Sequence, residues 1–295
     1  MRSDERFSGT GSAFGCITLD VSVFSRSLVV FVGVSALAQD PRALVLESAN
    51  RAGIDQELQR NYTFRERVEE RRFDGAGAVK STEIKTFDVI NLYGRPYQRL
   101  TEKNGVPLEP DEEAKEQHKI DRELVKRSKE SEKDRQSRLA KDAKELEQER
   151  SFRREIADAF LFTMLDGETI GGFDCYVIQA VPKPGFRPRT SDGRALPKVK
   201  GKLWISRSDR RWIKVHAETI DTISIGWFLL RVAKGTHFDF ETVRVGGEVW
   251  MPRHVNVRGE ARLAGVKKIN LELDVNWSDF HKFSTDSRVV ESPAQ

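Results

Sequence analysis

The strongest constraint on the fold is a period-two alternation of apolar and polar residues that recurs through most of this 295-residue sequence. In residues 267–282, KKINLELDVNWSDFHK, every second residue from Ile269 to Trp277 is apolar and the residues between them are polar. Because successive side chains of a strand point to opposite faces, this pattern predicts a strand with one apolar face. Similar stretches predict roughly nine to eleven antiparallel strands in all, at residues 61–105, 160–182, 201–218 and 237–263.

A sheet of this size curls, and its apolar face has to be covered by other elements. The sequence offers two helical segments for this purpose. Residues 41–59 have apolar residues at loosely helical spacing after Pro41, with a break or kink predicted near Gly53. Residues 109–157 form a charged helical insertion, because opposite charges recur there at helical spacing; the pattern predicts one long helix, or two with a break.

The predicted fold is therefore mainly β with helices (α+β). It is a curved antiparallel sheet that forms a half-open barrel covered by helices, with the long charged helical insertion added. A two-sheet sandwich is the alternative, but it gives the helices no clear role.

The N-terminal residues have the composition of an export signal. Arg26 precedes the apolar run of residues 28–34, and the small-residue pattern around Ala36 and Ala38 follows. The run is shorter than the ~20 residues that span a bilayer, so we predict cleavage after Ala38 rather than a membrane anchor. Residues 1–38 are then a signal peptide with an upstream extension, and residues 39–295 are a single domain. We expect the protein to be exported, and periplasmic in a bacterial cell.

Three short motifs resemble the periplasmic outer-membrane lipoprotein-carrier (LolA-like) family, in an uncharacterised exported branch. They are GKLWISRSDRRWIKVHAE at 201–218, VGGEVWMPRHVNVRGEARL at 245–263 and LDVNWSDFHKF at 273–283. The resemblance implies a half-barrel with a helical lid, whose apolar cavity holds acyl chains and performs no chemistry. The sequence departs from that family in its charged helical insertion and in a basic, proline-rich loop at 182–200.

The segment ISIGWFLLRVAKG at 223–235 has many large apolar residues and no clean alternation. It predicts either a fully buried strand or a mobile flap at the mouth of a cavity, in contact with lipid. We predict that the flap and the last strand supply the ligand contacts, namely Ile223, Ile225, Trp227, Phe228, Leu229, Leu230, Leu271 and Leu273.

The loop at 182–200 is expected to be extended and exposed, because it combines several prolines with many basic residues. Its cations could meet anionic lipid headgroups or an acidic partner, since each charge near a membrane surface contributes about 1 kcal/mol. The predicted contacts are Arg187, Arg189, Arg194 and Lys198. An ordinary solvated loop is the alternative.

The two tryptophans of the 201–218 hairpin fall among polar residues. Trp204 and Trp212 are predicted to lie opposite or near each other, covering a mixed surface with the aliphatic stems of Lys202 and Lys214. A ligand-contacting pair is the alternative.

The sequence gives little support to catalysis. It has no glycine-rich phosphate loop, no G-x-S-x-G motif and no zinc spacing, so we predict neither a metal nor a cofactor. His237 and Asp239 would share one face of a strand, but a surface pair is favoured over a catalytic one, and Cys175 is predicted to be a small buried apolar residue. The charge is nearly balanced, with 50 basic and 46 acidic residues, which argues against a nucleic-acid binder.

The predicted function is thus a non-enzymatic exported protein that binds lipid or an acylated protein in the concavity of a half-barrel. A structural or interaction module of the cell envelope, working through its charged helix without a ligand, is the alternative.

Overall fold

The alternating stretches form strands of one antiparallel sheet in the computed structural model, which describes residues 39–92, 95–225, 230–263 and 267–283. Within these residues the sheet has 13 strands. They are β1 (Tyr62–Phe73), β2 (Val79–Leu92), β3 (Arg95–Lys103), β4 (Val106–Pro107), β5 (Phe160–Ile170), β6 (Phe173–Pro182), β7 (Val199–Ser206), β8 (Trp212–Thr219), β9 (Ile223–Ile225), β10 (Leu230–Val232), β11 (His237–Val245), β12 (Val249–Leu263) and β13 (Lys267–Lys282).

The sheet is open, and its strand order is β4-β3-β2-β1-β13-β12-β11-β8-β7-β6-β5. Most neighbours are consecutive hairpins, but β1 pairs with β13 and β8 pairs with β11. The first and last strands therefore meet in the middle of the sheet. The short strands β9 and β10 form a hairpin that joins β12 through β10. The predicted fold class, a mainly antiparallel α+β half-barrel, is confirmed.

In the described part of the chain three α-helices accompany the sheet: α1 (Pro41–Gln59), α2 (Pro110–Ser128) and α3 (Glu132–Ala159). The Asp40 side chain caps α1 by accepting a hydrogen bond from the backbone N–H of Arg42 at 3.0 Å. The predicted break near Gly53 is wrong, because α1 continues to Gln59. Gly53 instead gives room to α3, since a Cβ at this position would lie 2.9 Å from the Arg153 guanidinium.

The charged insertion forms two helices, α2 and α3, rather than one. Ser131 is the N-cap of α3, and its side chain accepts a hydrogen bond from the backbone N–H of Asp134 at 3.2 Å. Arg138 of α3 holds the link between the two helices through a bidentate pair with Glu130, at 2.9 and 2.8 Å.

Helix α1 covers one part of the sheet. Leu44 and Val45 are buried against Ile178 of β6 and Ile205 of β7. A buried ion pair between Asp55 and Arg211 also holds α1 on the β7–β8 hairpin. The helix contacts β5, β7, β8 and β12.

The predicted pairing of Trp204 and Trp212 is wrong. A bulge between β7 and β8 pairs Trp204 with Lys214 and Trp212 with Ile205. Trp204 is buried with Val177 in one apolar cluster, and its indole N–H donates to Glu168 at 3.0 Å. Trp212 packs against the cluster under α1. One extra residue in a strand thus sends the two rings into different clusters.

Candidate ligand-binding face

A continuous row of apolar side chains crosses the middle of the sheet on one face. Residues paired in an antiparallel ladder share a face, and every second residue along a strand returns to it. The ladders of β13, β12, β11, β10 and β9 place apolar residues on this face in successive rungs, and β1 adds Val68 between Glu66 and Glu70. We call these residues the apolar strip: Val68, Ile223, Val232, Phe238, Phe240, Val255, Val257, Ala261, Ile269, Leu271, Leu273 and Val275.

Most of the apolar strip is only half-buried. Val275 and Ala261 are buried, Phe238 is 38% exposed, and the other members lie between these limits. By contrast, the part of the sheet that α1 covers contains fully buried apolar residues, such as Ile178 and Ile205. A contiguous apolar surface left partly open is typical of a binding site.

The structure brings together the two predicted ligand-contacting segments. Ile223 lies in the same rung as Val232, Ala261 and Ile269, next to the rung that holds Leu271. Leu230 begins β10, is half-buried, and pairs with Leu263 of β12. The remaining predicted contacts are Leu273, which belongs to the strip, Ile225, which pairs with Leu230 through the backbone, and Trp227, Phe228 and Leu229, which lie outside the described residues.

Sequence reasoning missed the contribution of β11 and β12. The alternation of Phe238 and Phe240, and of Val255 and Val257, was visible in the sequence. The register that sets these residues beside Leu273 is a tertiary property, because it depends on which strands become neighbours.

A bend separates the β9–β10 hairpin from β8 and β11. The Thr219 hydroxyl donates to the carbonyl of Ala233 at 2.7 Å and accepts from the backbone N–H of Thr236 at 2.9 Å. Gly259 of β12 makes room for the bend, since a Cβ there would lie 2.7 Å from the Cβ of Thr236. These contacts fix the direction in which the hairpin leaves the sheet.

The basic loop is largely exposed, as expected, but it is not extended throughout, because it is docked on α3 and contains a short 3-10 helix. Glu155 is fully buried, and its carboxylate accepts hydrogen bonds from the backbone N–H groups of Arg189 and Thr190 and from the Thr190 hydroxyl. The loop continues as a short 3-10 helix, Asp192–Lys198, whose Gly193 lies directly against this carboxylate. A buried carboxylate needs such donors, and the loop supplies them.

The four predicted basic contacts divide into two pairs. Arg189 donates to Asp158 at 2.7 Å, and Lys198 donates to the carbonyl of Thr222 at 2.6 Å, beside the β9–β10 hairpin. Arg187 and Arg194 are exposed, and the described part of the chain places no carboxylate within 4.0 Å of either. Arg194 belongs to the 3-10 helix that contacts β9, so its charge is available near the hairpin, whereas Arg187 lies close to Pro41 and Phe160 at the β5 edge of the sheet.

A polar position terminates the apolar strip at its other end. Glu66 of β1 lies in one rung with Phe87 of β2 and Trp277 of β13, next to the rung of Val68. Burial raises the pKa of the Glu66 carboxyl, although a hydrogen bond from Trp277 acts in the opposite direction.

The opposite face of the same strands is polar and cross-linked. His216 and Asp239 form a hydrogen bond of 2.8 Å, and so do His254 and Asp274. Asp239 is thus the partner of His216, and the His237 ring stacks on the His216 ring with 5.8 Å between the ring centroids.

Among the residues the structure describes, no group of three or more His, Cys, Asp or Glu could hold a metal ion. Cys175 is buried, which raises the pKa of its thiol.

Comparison with solved structures finds several chains that are similar over most of their length at low sequence identity. It is similar to a putative outer membrane lipoprotein-sorting protein domain from Vibrio parahaemolyticus, with 12% identity and a TM-score of 0.32 over 82% of this chain and 95% of the other. It is also similar to a DUF1329 family protein from Desulfovibrio piger, with 11% identity and a TM-score of 0.30 over 84% and 95% of the two chains. A LolA superfamily protein from Nitrosomonas europaea has 10% identity and a TM-score of 0.28 over 83% and 98%.

These neighbours include the superfamily that the sequence motifs resemble. No family model matches the chain, and no curated protein matches it. Of the helices in the described residues, none has both the length and the apolar character needed to cross a membrane.

Proposed function

We propose that this chain is a non-enzymatic, exported, periplasmic protein that binds the acyl chain of a lipid, or of a lipidated protein, along the apolar strip. The observation that supports this proposal is the strip itself: apolar side chains from six strands share one face, and most of them are only half-buried. A bound acyl chain would complete their burial, and each buried methylene contributes about 0.8 kcal/mol.

The length of the strip suits this ligand. On β13 the strip runs from Ile269 to Val275, and six rises of about 3.4 Å per residue span roughly 20 Å. The hydrocarbon core of a bilayer is about 30 Å thick and holds two leaflets, so one acyl chain needs about half of that length. The strip is therefore long enough for one extended chain.

In this proposal the basic loop receives an anionic headgroup or an anionic membrane surface. Arg187 and Arg194 are the two cations best suited to the contact, because Arg189 and Lys198 already have partners within the protein. The β9–β10 hairpin lies beside the loop and would guard entry to the strip.

The test is binding of a fluorescent fatty acid to the variant Phe238→Ser/Leu273→Ser. The two side chains lie in one rung on either side of Val257, so their loss interrupts the strip. We expect the Kd to rise tenfold or more, which corresponds to about 1.4 kcal/mol.

The matched control is Leu161→Ser/Val181→Ser. These residues are also paired across neighbouring strands, and they are 49% and 38% exposed, but they lie on β5 and β6 away from the strip. Far-ultraviolet dichroism must be unchanged in both variants. Equal losses of affinity in the two variants, or none in either, would contradict the proposal.

The alternative function is an interaction module that works through α2 and α3. Its support is the exposure of apolar residues on these charged helices: Val125 is 49% exposed and Leu139 is 51% exposed. Native mass spectrometry after mild extraction separates the two functions. Co-purified lipid supports carriage, whereas a protein with no bound lipid and no fatty-acid affinity supports the interaction module.

A further inference from the structure

The Glu66 carboxylate at the end of the apolar strip is half-buried and has no cationic partner. Its Oε1 accepts a hydrogen bond from the Gln98 amide at 2.7 Å, and its Oε2 accepts one from the Trp277 indole N–H at 2.9 Å. Both donors are neutral. Within the described residues, no Lys, Arg or His nitrogen lies within 4.0 Å of either oxygen.

The other glutamates of β1 are different. Glu69 is paired with Arg67 at 2.7 Å, and Glu70 is paired with Arg72 at 2.6 Å. Lys85, which lies one position further along the sheet beside Val68, is paired with Glu83 at 2.7 Å. Of the three glutamates in β1, Glu66 alone carries a charge without a counter-charge.

This arrangement favours an added cation. Each carboxylate oxygen can accept more than the one hydrogen bond it receives, so Glu66 has capacity for a further donor. A partly desolvated charge gains more from an opposite charge than a solvated one does. Phe87 and Trp277 stand on either side of Glu66 in the same rung, and aromatic faces also attract cations.

We infer that Glu66, Phe87 and Trp277 form a subsite for an ammonium group, carried by an amphiphile whose apolar chain lies along the strip. This inference rests on the proposed function, because the strip has to hold the chain that brings the ammonium group into place. The ligand class is an amine-bearing lipid, and the subsite lies at the opposite end of the strip from the basic loop.

The experiment compares three amphiphiles of equal chain length: dodecylamine, dodecanol and dodecanoic acid. Each displaces a fluorescent apolar probe from the protein comprising residues 39–295, at a pH where the amine is protonated. We expect dodecylamine to bind about tenfold more tightly than dodecanol, a difference of about 1.4 kcal/mol. Glu66→Gln keeps the shape and an acceptor for Trp277, and it should remove this preference while leaving dodecanol affinity unchanged.

Glu70→Gln is the matched control, because it removes the next carboxylate on the same face of β1, one that already has a partner. It should leave the amine preference intact. Should Glu66→Gln fail to fold, calorimetry of the wild-type chain in buffers of different ionisation enthalpy supplies a second measurement. Dodecylamine should then release protons at mildly acidic pH, as the ammonium group favours the ionised carboxylate, and dodecanol should not.

The outcomes are distinguishable. A preference for the amine that Glu66→Gln abolishes supports the subsite. Equal affinity for all three amphiphiles, or a preference that survives Glu66→Gln, overturns the subsite and leaves the proposed function standing. Failure of every amphiphile to displace the probe overturns the proposed function, and the subsite with it.

Discussion

The ion pair between Asp55 of α1 and Arg211 of the β7–β8 hairpin is expected to be a main determinant of stability. The side chains are only 4% and 14% exposed. The guanidinium binds both carboxylate oxygens, the second contact being Nη2 to Oδ1 at 3.3 Å. Asp55→Ala leaves the Arg211 charge buried with only a long contact to the carbonyl of Asp209, at 3.4 Å.

Removing one partner of a buried pair costs ~3–5 kcal/mol, because the remaining charge loses its compensation. We therefore expect Asp55→Ala to lower the free energy of unfolding by about that amount. With a urea m-value of about 2–3 kcal/mol/M, the midpoint should fall by more than about 1 M. The assay is urea unfolding followed by tryptophan fluorescence, which reports on Trp212 beneath the same helix.

Two variants test the reasoning. Glu57→Ala breaks the exposed pair with Arg60, the C-cap residue of the same helix, and should cost no more than ~1 kcal/mol because the two side chains are 48% and 50% exposed. The double variant Asp55→Ala/Arg211→Met removes both charges and should be more stable than Asp55→Ala alone. A single variant no worse than Glu57→Ala, or a double variant less stable than the single one, would refute the argument.

Two further predictions concern the Tyr62 hydroxyl and the docked loop. The hydrogen bond to Glu248, together with burial, raises the pKa of Tyr62 to about 12, so the stability it contributes is complete below the ordinary tyrosine pKa of ~10 and is lost as the pH rises through about 12. A difference absorbance titration between the wild type and Tyr62→Phe should show this late ionisation, and Glu248→Gln should bring it earlier; titration of Tyr62 near pH ~10 would contradict it. Gly193→Ala should release the basic loop, since a Cβ would collide with the Glu155 carboxylate, and trypsin should then cleave the loop faster. Gly75→Ala is its control, because a Cβ there meets nothing within 4 Å; similar cleavage of both variants would show that the loop is not held through Gly193.

The sequence by itself determined the local elements. Alternation identified the long strand at 267–282, and Pro41 with the following spacing identified α1 over the bounds that the structure shows. Side-chain periodicity is a property of a single segment, so it is readable without knowing the neighbours. The same reasoning identified Leu271 and Leu273 as residues of an apolar face.

The docking of the basic loop on α3 and the bulge in the β7–β8 ladder could not be predicted from the sequence. The basic loop was expected to extend into solvent because its prolines and charges are typical of an exposed segment. Its anchor is Glu155, which lies 34 residues from Arg189 in the chain. Trp212 lies on the face under α1, and not on the predicted face with Trp204, because a bulge in the β7–β8 ladder shifts the register by one residue.

Only the tertiary structure decided which faces become neighbours. Phe238, Val257 and Leu273 lie on three consecutive strands, and they form one rung because the registers of the β11–β12 and β12–β13 ladders align them. Glu66 reaches Trp277 only because the first strand pairs with the last. Pairing between distant strands depends on the free energy of the whole sheet, so a binding face assembled from several strands is fixed by topology and register and not by the pattern of any one strand.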